Sequence, residues 1–125
     1  MTILLPENAV SVYRGTSKTL VLKVKDKNKE PVNLTGATVY FSVKRDERDT
    51  GNPLIQKMSS DSAQIEIPNP TDGIAKIYLQ PADTQNFDIT KYRFDVWMVS
   101  AVGKRFVVVR PSVFNVEATV TKIPL

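Results

Sequence analysis

Residues 91–111 read KYRFDVWMVSAVGKRFVVVRP, and this stretch decides the fold that the sequence predicts. From Lys91 to Val99 the apolar side chains recur at every second position, which is the period of a strand with one buried face. The run Phe106–Val109 is apolar throughout, and such a run favours a strand covered on both faces inside a sheet. Val102-Gly103 lies between the two runs and supplies the permissive backbone of a tight turn, so the stretch predicts a β-hairpin.

The alternation assigns the side chains of the first strand to two faces. The inward set is Tyr92, Phe94, Val96 and Met98, and the outward set is Arg93, Asp95, Trp97 and Val99. A tryptophan that shares an outward face with an arginine is typical of a protein contact patch. Alternatively, a loop or the N-terminal arm covers Trp97 within the same chain. The candidate interface residues are Ile3, Leu4, Leu5, Arg93, Trp97 and Val99.

Composition excludes several kinds of chemistry. The 125 residues, 42% of them hydrophobic, suit one globular domain that buries a core without metals or crosslinks. The chain has no cysteine, which excludes disulfides and thiolate sites, and no histidine, the commonest general base and transition-metal ligand. We therefore expect no enzyme, with no catalytic residue, metal or cofactor. The net charge of +4 is spread along the chain, so no nucleic-acid partner is predicted.

The two ends of the chain are interpreted as short arms on a single domain spanning residues 1–125. Residues 1–8 contain a brief apolar run, Ile3–Leu5, that stops at Pro6. This segment lacks the basic region of a signal peptide and the length of a membrane span. Residues 121–125 form the second arm. We expect a soluble protein, cytoplasmic when made, with no membrane partner.

Alternating segments recur along the rest of the chain and predict further strands. They are Ala9–Tyr13, Lys18–Asp26, Ala37–Arg45, Leu54–Ser59, Gln64–Ile67, Ile74–Gln80 and Ser112–Thr121. Beyond about one turn near Pro81, we expect no long helix, because the helical period is interrupted in every window of about ten residues. About eight or nine strands at this spacing predict an all-β, immunoglobulin-like antiparallel β-sandwich rather than a closed barrel. Tyr92 begins a late strand after a turn, the position of a structural tyrosine corner.

Two sets of charged residues have both a functional and an ordinary interpretation. Lys23, Lys25, Lys27 and Lys29 fall at alternate positions, which suits an anionic partner or, more simply, a solvated strand edge guarded by lysine. The loop carboxylates are Asp46, Glu47, Asp49, Asp61 and Asp72. Their spacing does not match a dedicated calcium loop, so solvated turns are favoured over a cation site or a glycosidase-like pair.

Several motifs follow one another in an order typical of one family. They are Arg14-Gly15-Thr16, LVLKVKDKNKEPVNLTGATVYFSVKR from Leu20, PLIQK from Pro53, QIEIPNPTDGIAKIYLQPADT from Gln64 and YRFDVWMV from Tyr92. Together they resemble the N-terminal immunoglobulin-like domain of phage baseplate upper proteins and related phage tail proteins. The resemblance spans most of the chain, and its most specific parts are VNLTGATVYFSVK and DGIAKIYLQPADT.

The resemblance implies a non-enzymatic virion component of the tail or baseplate, which docks on the tail hub and repeats around its axis. It also implies partners among the other tail or baseplate proteins and among copies of the chain itself. This sequence ends at Leu125, where such proteins often continue into further segments, so an adaptor role is expected rather than receptor binding. The competing hypotheses are a stand-alone immunoglobulin-like module that binds a protein or glycan through the loop 46–53, and a hydrolase using loop carboxylates.

Overall fold

The computed structural model describes residues 2–5 and 9–121, and these form two packed β-sheets. The one α-helical turn among them is α1 (Pro81–Thr84). The strands are β1 (Thr2–Leu5), β2 (Ala9–Tyr13), β3 (Lys18–Lys23), β4 (Thr38–Lys44), β5 (Ile55–Met58), β6 (Ile65–Glu66), β7 (Ile74–Leu79), β8 (Lys91–Val99) and β9 (Arg105–Glu117). The predicted all-β class without a long helix is therefore confirmed.

The strand order is that of an immunoglobulin-like sandwich. One sheet has the order β1-β3-β7-β6 and the other β2-β9-β8-β4-β5. In the immunoglobulin arrangement, strands A, B, E and D form one sheet and strands C, F and G the other. The pairings β3–β7, β6–β7, β4–β5, β4–β8 and β8–β9 are antiparallel. The pairings β1–β3 and β2–β9 are parallel, which is possible because these partners are far apart in the chain and are not joined by a hairpin.

Side chains from both sheets form one hydrophobic core. Alternate residues of four strands are buried: Leu20 and Leu22 on β3, Val39, Phe41 and Val43 on β4, Ala75, Ile77 and Leu79 on β7, and the predicted inward row Tyr92, Phe94, Val96 and Met98 on β8. The rings of Phe41, Phe94 and Phe114 lie with centroids 5.8 to 6.4 Å apart in tilted and edge-on arrangements. Strand β8 therefore lies at the centre of the core, as its alternation predicts.

Gly73 and Lys18 each lie at a close contact between different segments of the chain. Gly73 follows the 3₁₀ turn Pro70–Asp72 with φ +66°, and a side chain there would place its Cβ atom 2.7 Å from the carbonyl oxygen of Val24. Only glycine adopts this conformation without strain at such close backbone approach. Between the sheets, the buried Lys18 of β3 donates a hydrogen bond from Nζ to the carbonyl of Ser11 on β2. Burial lowers the pKa of Lys18, while the charge of Glu117 opposes this shift.

The Tyr92 hydroxyl has the geometry of a tyrosine corner. It accepts a hydrogen bond from the N–H of Asp88 at 3.0 Å and donates one to the carbonyl of the same residue at 3.2 Å. The Tyr92 ring packs on Phe87 with the centroids 4.8 Å apart. Tyr92 thus fixes the connection between the two sheets where β8 begins, in the place that an immunoglobulin-like sandwich assigns to it.

The prediction for Phe106–Val109 is wrong. This run belongs to the first half of β9, where Phe106 is 46% and Val107 51% exposed, and only Val109 is buried. The sandwich does not cover both faces of the hairpin at this end. The proposed separate strand Ser112–Thr121 is also corrected: β9 is continuous from Arg105 to Glu117, and Ala118 and Val120 beyond it are exposed.

The predicted arms at 1–8 and 121–125 fall partly outside the described residues. The backbone of Thr2–Leu5 forms β1 at one edge of the four-stranded sheet, in register with Thr19–Leu22. Residues 1, 6–8 and 122–125 are not described.

Candidate functional site

The candidate site is the outer face of the five-stranded sheet, centred on Trp97. Because β8 alternates, burial of its inner row directs Arg93, Asp95, Trp97 and Val99 outward. Trp97 is 38% exposed, and the other three are partly buried by their neighbours. The row is therefore directed outward, as predicted, and together with its neighbours on the same side of the sheet it forms the outer face.

The neighbouring strands extend the outer face on both sides of β8. On β4, Tyr40 lies opposite Trp97, Ser42 opposite Asp95 and Lys44 opposite Arg93. Gln56 of β5 lies opposite Ser42, and Val107 of β9 lies opposite Trp97. Residues opposite one another in an antiparallel pair project from the same side of the sheet. The outer face is consequently a mixed surface of aromatic, charged and amide groups.

A shallow groove of about 710 Å³ runs over this face. Its lining consists of Tyr40, Ser42, Lys44, Glu47, Pro53, Gln56, Arg93, Phe94, Asp95, Trp97, Val99, Gly103, Arg105 and Pro111. Glu47 and Pro53 come from the charged loop 46–53, which the sequence offered as a separate binding loop. The structure brings this loop and the Trp97 row together at one site.

The wall of the groove is held by a small set of polar contacts. Arg93 donates from Nη2 to Glu47 Oε2 at 3.4 Å and to the carbonyl of Pro111 at 3.2 Å. Within the part of the chain that the structure describes, the buried Nε of Arg93 has no hydrogen-bond acceptor. An unmatched buried donor costs roughly 1 to 3 kcal/mol.

Asp95 and Trp97 form a second polar pair on the groove floor. The indole N–H of Trp97 donates to Oδ2 of Asp95 at 3.2 Å. Partial burial raises the pKa of Asp95, while the Trp97 hydrogen bond and the charge of Lys44 lower it, and burial dominates. The hydrogen bond links the exposed indole to the carboxylate beside it on the outer face.

The groove adjoins an apolar region that sequence reasoning assigned to the core. Phe106 and Val107 on β9 are about half exposed, and Val102 at the hairpin turn is 80% exposed. The register between β8 and β9 shifts on both sides of Val96, so β9 contains irregularities beside the groove. The basic residues Lys104, Arg105 and Arg110 flank the apolar run. A uniformly apolar run with charged ends does not show, from the sequence alone, which of its faces the rest of the chain covers.

Ile3, Leu4 and Leu5 are not brought to the outer face. Their backbone lies in β1, which belongs to the four-stranded sheet, whereas Trp97 lies on the five-stranded sheet. The alternative in which this arm covers Trp97 therefore does not match the strand order. The interface role predicted for Ile3–Leu5 stays a prediction.

The charged sets from the sequence have local structural roles. Asp46, Asp49 and Asp61 each accept a hydrogen bond from the backbone N–H two residues later, as in solvated turns. Among residues 2–5 and 9–121, no group of three or more acidic side chains is placed to hold a metal ion. The four lysines of the alternating run are exposed, but β3 ends at Lys23, so they do not share one strand face.

No helix within the described ranges has both the length and the apolar composition needed to span a membrane. No family model matches the sequence, and no curated protein matches it significantly. Among solved structures, the N-terminal domain of phage TP901-1 ORF48 is similar over 93% of this chain and 94% of that one, with a TM-score of 0.54 and 13% identity. Murine CRIg matches with a TM-score of 0.44 and 11% identity, over 90% of this chain and 93% of that one. The predicted resemblance to the N-terminal domain of a phage protein is confirmed for the fold.

Proposed function

We propose that this chain is a structural component of a phage tail or baseplate, an adaptor that docks on the tail hub and self-associates. The observation that carries the proposal is the fold shared over nearly the whole of both chains with the N-terminal domain of phage TP901-1 ORF48. The motif order that resembles phage baseplate upper proteins supports the same assignment. The proposed role is non-enzymatic and located in the virion, with the host cytoplasm as the place before assembly.

The outer face is the proposed docking surface. Tryptophan, tyrosine and arginine are the residue types most enriched at energetically important positions of protein interfaces. Trp97, Tyr40 and Arg93 lie together on this face, and the indole N–H of Trp97 donates to Asp95.

Self-association is supported by the distribution of charge on the outer face. Lys44, Arg93 and Arg105 provide positive charge, and Glu47 and Asp95 provide negative charge, within one groove. A two-fold axis places the same surface on both partners, so a face that carries both signs can match opposite charges in a symmetric pair. Symmetric oligomers around the tail axis are the assembly we propose.

Mass spectrometry of purified virions tests the assignment. We expect peptides of this chain in intact particles, at a constant ratio to the tail components and enriched over a lysate fraction depleted of particles. Co-purification of a tagged chain from infected cells should recover other tail or baseplate proteins. Absence of the chain from washed particles, with recovery only from the soluble fraction, would contradict a virion role.

A second candidate function is a stand-alone immunoglobulin-like module that binds a glycan. The groove favours it because aromatic rings, Trp97 and Tyr40, lie beside amide and carboxylate groups, Gln56 and Asp95, and beside loop 46–53. This combination suits stacking and hydrogen bonding to a small polar ligand. A glycan array with the wild-type chain, a Trp97→Ala variant and a chain with loop 46–53 shortened distinguishes the two roles. Glycan binding by the wild-type chain that is lost in both variants would favour the module. No glycan binding by the wild-type chain would favour the adaptor.

A further inference from the structure

The first half of β9 is an open sheet edge. Strand β2 covers β9 only from Val113 to Glu117, where it pairs through Ala9–Tyr13. From Arg105 to Val109, β9 pairs with β8 on one side, and none of the other described strands pairs with it on the opposite side. In an antiparallel ladder, alternate residues direct their N–H and C=O groups to the same neighbour. The remaining groups of this stretch therefore point to the open side.

The open edge has a defined end at Arg110–Pro111. The carbonyl of Arg110 accepts a hydrogen bond from the Ser112 hydroxyl at 2.7 Å, and the carbonyl of Pro111 accepts one from Arg93. Proline has no N–H group to offer a neighbouring strand. Arg105–Val109 is consequently a short segment, about the usual length of a strand, at which another chain can add.

The centre of this open edge carries exposed apolar side chains. Phe106 and Val107 are 46% and 51% exposed, and Val102 at the adjoining turn is 80% exposed. Sheet edges are usually blunted by charge or proline along their length. Here the charges lie at the two ends, on Lys104, Arg105 and Arg110, and leave the centre uncovered. An apolar open edge of this kind is the structural basis of strand addition.

We propose that this edge takes an extended segment of a partner protein as an additional strand, with an apolar centre and acidic residues at both ends. Charge decides between this occupant and a second copy. In an antiparallel pairing of two copies that overlaps Phe106–Val109 fully, Arg105 of each lies opposite Arg110 of the other. Like charges directly opposite each other destabilise a strand pair, whereas acidic residues there stabilise it. The outer face adjoins this edge, since Val107 lies opposite Trp97.

The inference rests on the proposed function for the identity of the biological partner. Its test needs only the purified chain. Titrate the isotopically labelled chain, at low salt, with the peptide DETVTVTVED and follow the backbone amides by NMR. A matched peptide KKTVTVTVKK has the same centre with basic ends, and a third peptide carries N-methyl groups on all six central residues of the acidic one, so that neither of its edges can donate. We expect the acidic peptide to shift the amides of residues 105–109 and to bind at least about tenfold more tightly than the basic peptide.

The variants and the third peptide separate strand addition from plain charge attraction. N-methylation removes backbone donors and should abolish binding, although the charge of the peptide is unchanged. In the double variant Arg105→Glu/Arg110→Glu the preference should invert in favour of the basic peptide. Equal affinity for both peptides, retained binding after N-methylation, or amide shifts elsewhere would overturn the proposal. So would a peptide-free dimer whose concentration-dependent shifts lie at residues 105–109. None of these results bears on whether the chain is present in virions, which mass spectrometry of purified particles tests.

Discussion

The two halves of β9 have opposite surroundings, and the more apolar half is the less buried one. In Ser112–Glu117 the alternate side chains of Ser112, Phe114 and Val116 are buried. This half of the strand pairs with β2 on one side and with β8 on the other. In Arg105–Arg110 the strand keeps one neighbour, and Phe106 and Val107 are half exposed. The difference teaches that apolar content alone does not bury a strand, because burial also requires a second neighbour and a facing sheet. The half that has a second neighbour and a facing sheet contributes to stability, and the half that lacks them carries the edge proposed for strand addition.

The sharpest way to break this comparison is to truncate one phenylalanine in each half. Phe114 is fully buried against Phe41 and Phe94, so Phe114→Ala leaves a core cavity and should lower the free energy of unfolding by about 3 to 5 kcal/mol. Phe106→Ala, at a half-exposed site, should cost less than about 1 kcal/mol. Urea unfolding of both variants measures the difference. Equal losses would mean that the first half of β9 is part of the core.

A smaller effect is expected where β8 begins, opposite Phe114. Tyr92→Phe removes the hydroxyl that bonds both backbone groups of Asp88, and should cost about 1 to 2 kcal/mol of unfolding free energy. Tyr40→Phe, on the outer face, is the matched control and should stay within about 0.5 kcal/mol of the wild type. Chemical denaturation checks both. If the two variants were equally stable, Tyr92 would have no role in holding the corner.

The smallest effect concerns the pH dependence of stability at the outer face. Burial raises the pKa of Asp95 above its ordinary 3.8, so the folded chain holds this proton more tightly than the unfolded chain. The associated stability is fully present below the ordinary value and is lost as the pH rises through the folded pKa. Asp95→Asn should remove this loss, which unfolding curves measured across acidic pH would detect.

Trp97→Phe sharpens the same measurement. It removes the indole N–H that lowers the pKa of Asp95, so the loss of stability should move to higher pH than in the wild type. A shift to lower pH, or identical curves for the wild type and both variants, would contradict the arrangement of Asp95 and Trp97 on this face.

The sequence predicted which side chains are buried wherever burial follows from alternation along a single strand. The inward row of β8 was predicted residue by residue, and the alternating segments at β3, β4 and β7 each have one face on the core, as alternation predicts. The place of Tyr92 followed from its position at the start of a late strand. These predictions depend only on the order of residues along one strand.

The features that escaped sequence reasoning depend on contacts between distant segments. Phe106–Val109 was assigned to the interior because a uniformly apolar run does not reveal where β2 stops covering β9. The approach of Glu47 to Arg93, which unites loop 46–53 with the Trp97 row, joins residues far apart in the chain. The pairing of Thr2–Leu5 with β3 is likewise a long-range backbone contact. Periodicity carries no information about any of these.

The most direct test of the outer face as an assembly surface is the incorporation of Trp97→Lys into tail particles. A phage lacking the gene would be complemented with the wild type, with Trp97→Lys or with Val120→Lys, a control at a fully exposed apolar residue beyond β9. The amount of chain in purified particles is measured, and circular dichroism confirms folding. We predict that Trp97→Lys folds and is depleted at least about tenfold in particles, while Val120→Lys is incorporated normally. Normal incorporation of Trp97→Lys, or its failure to fold, would contradict an outward assembly face.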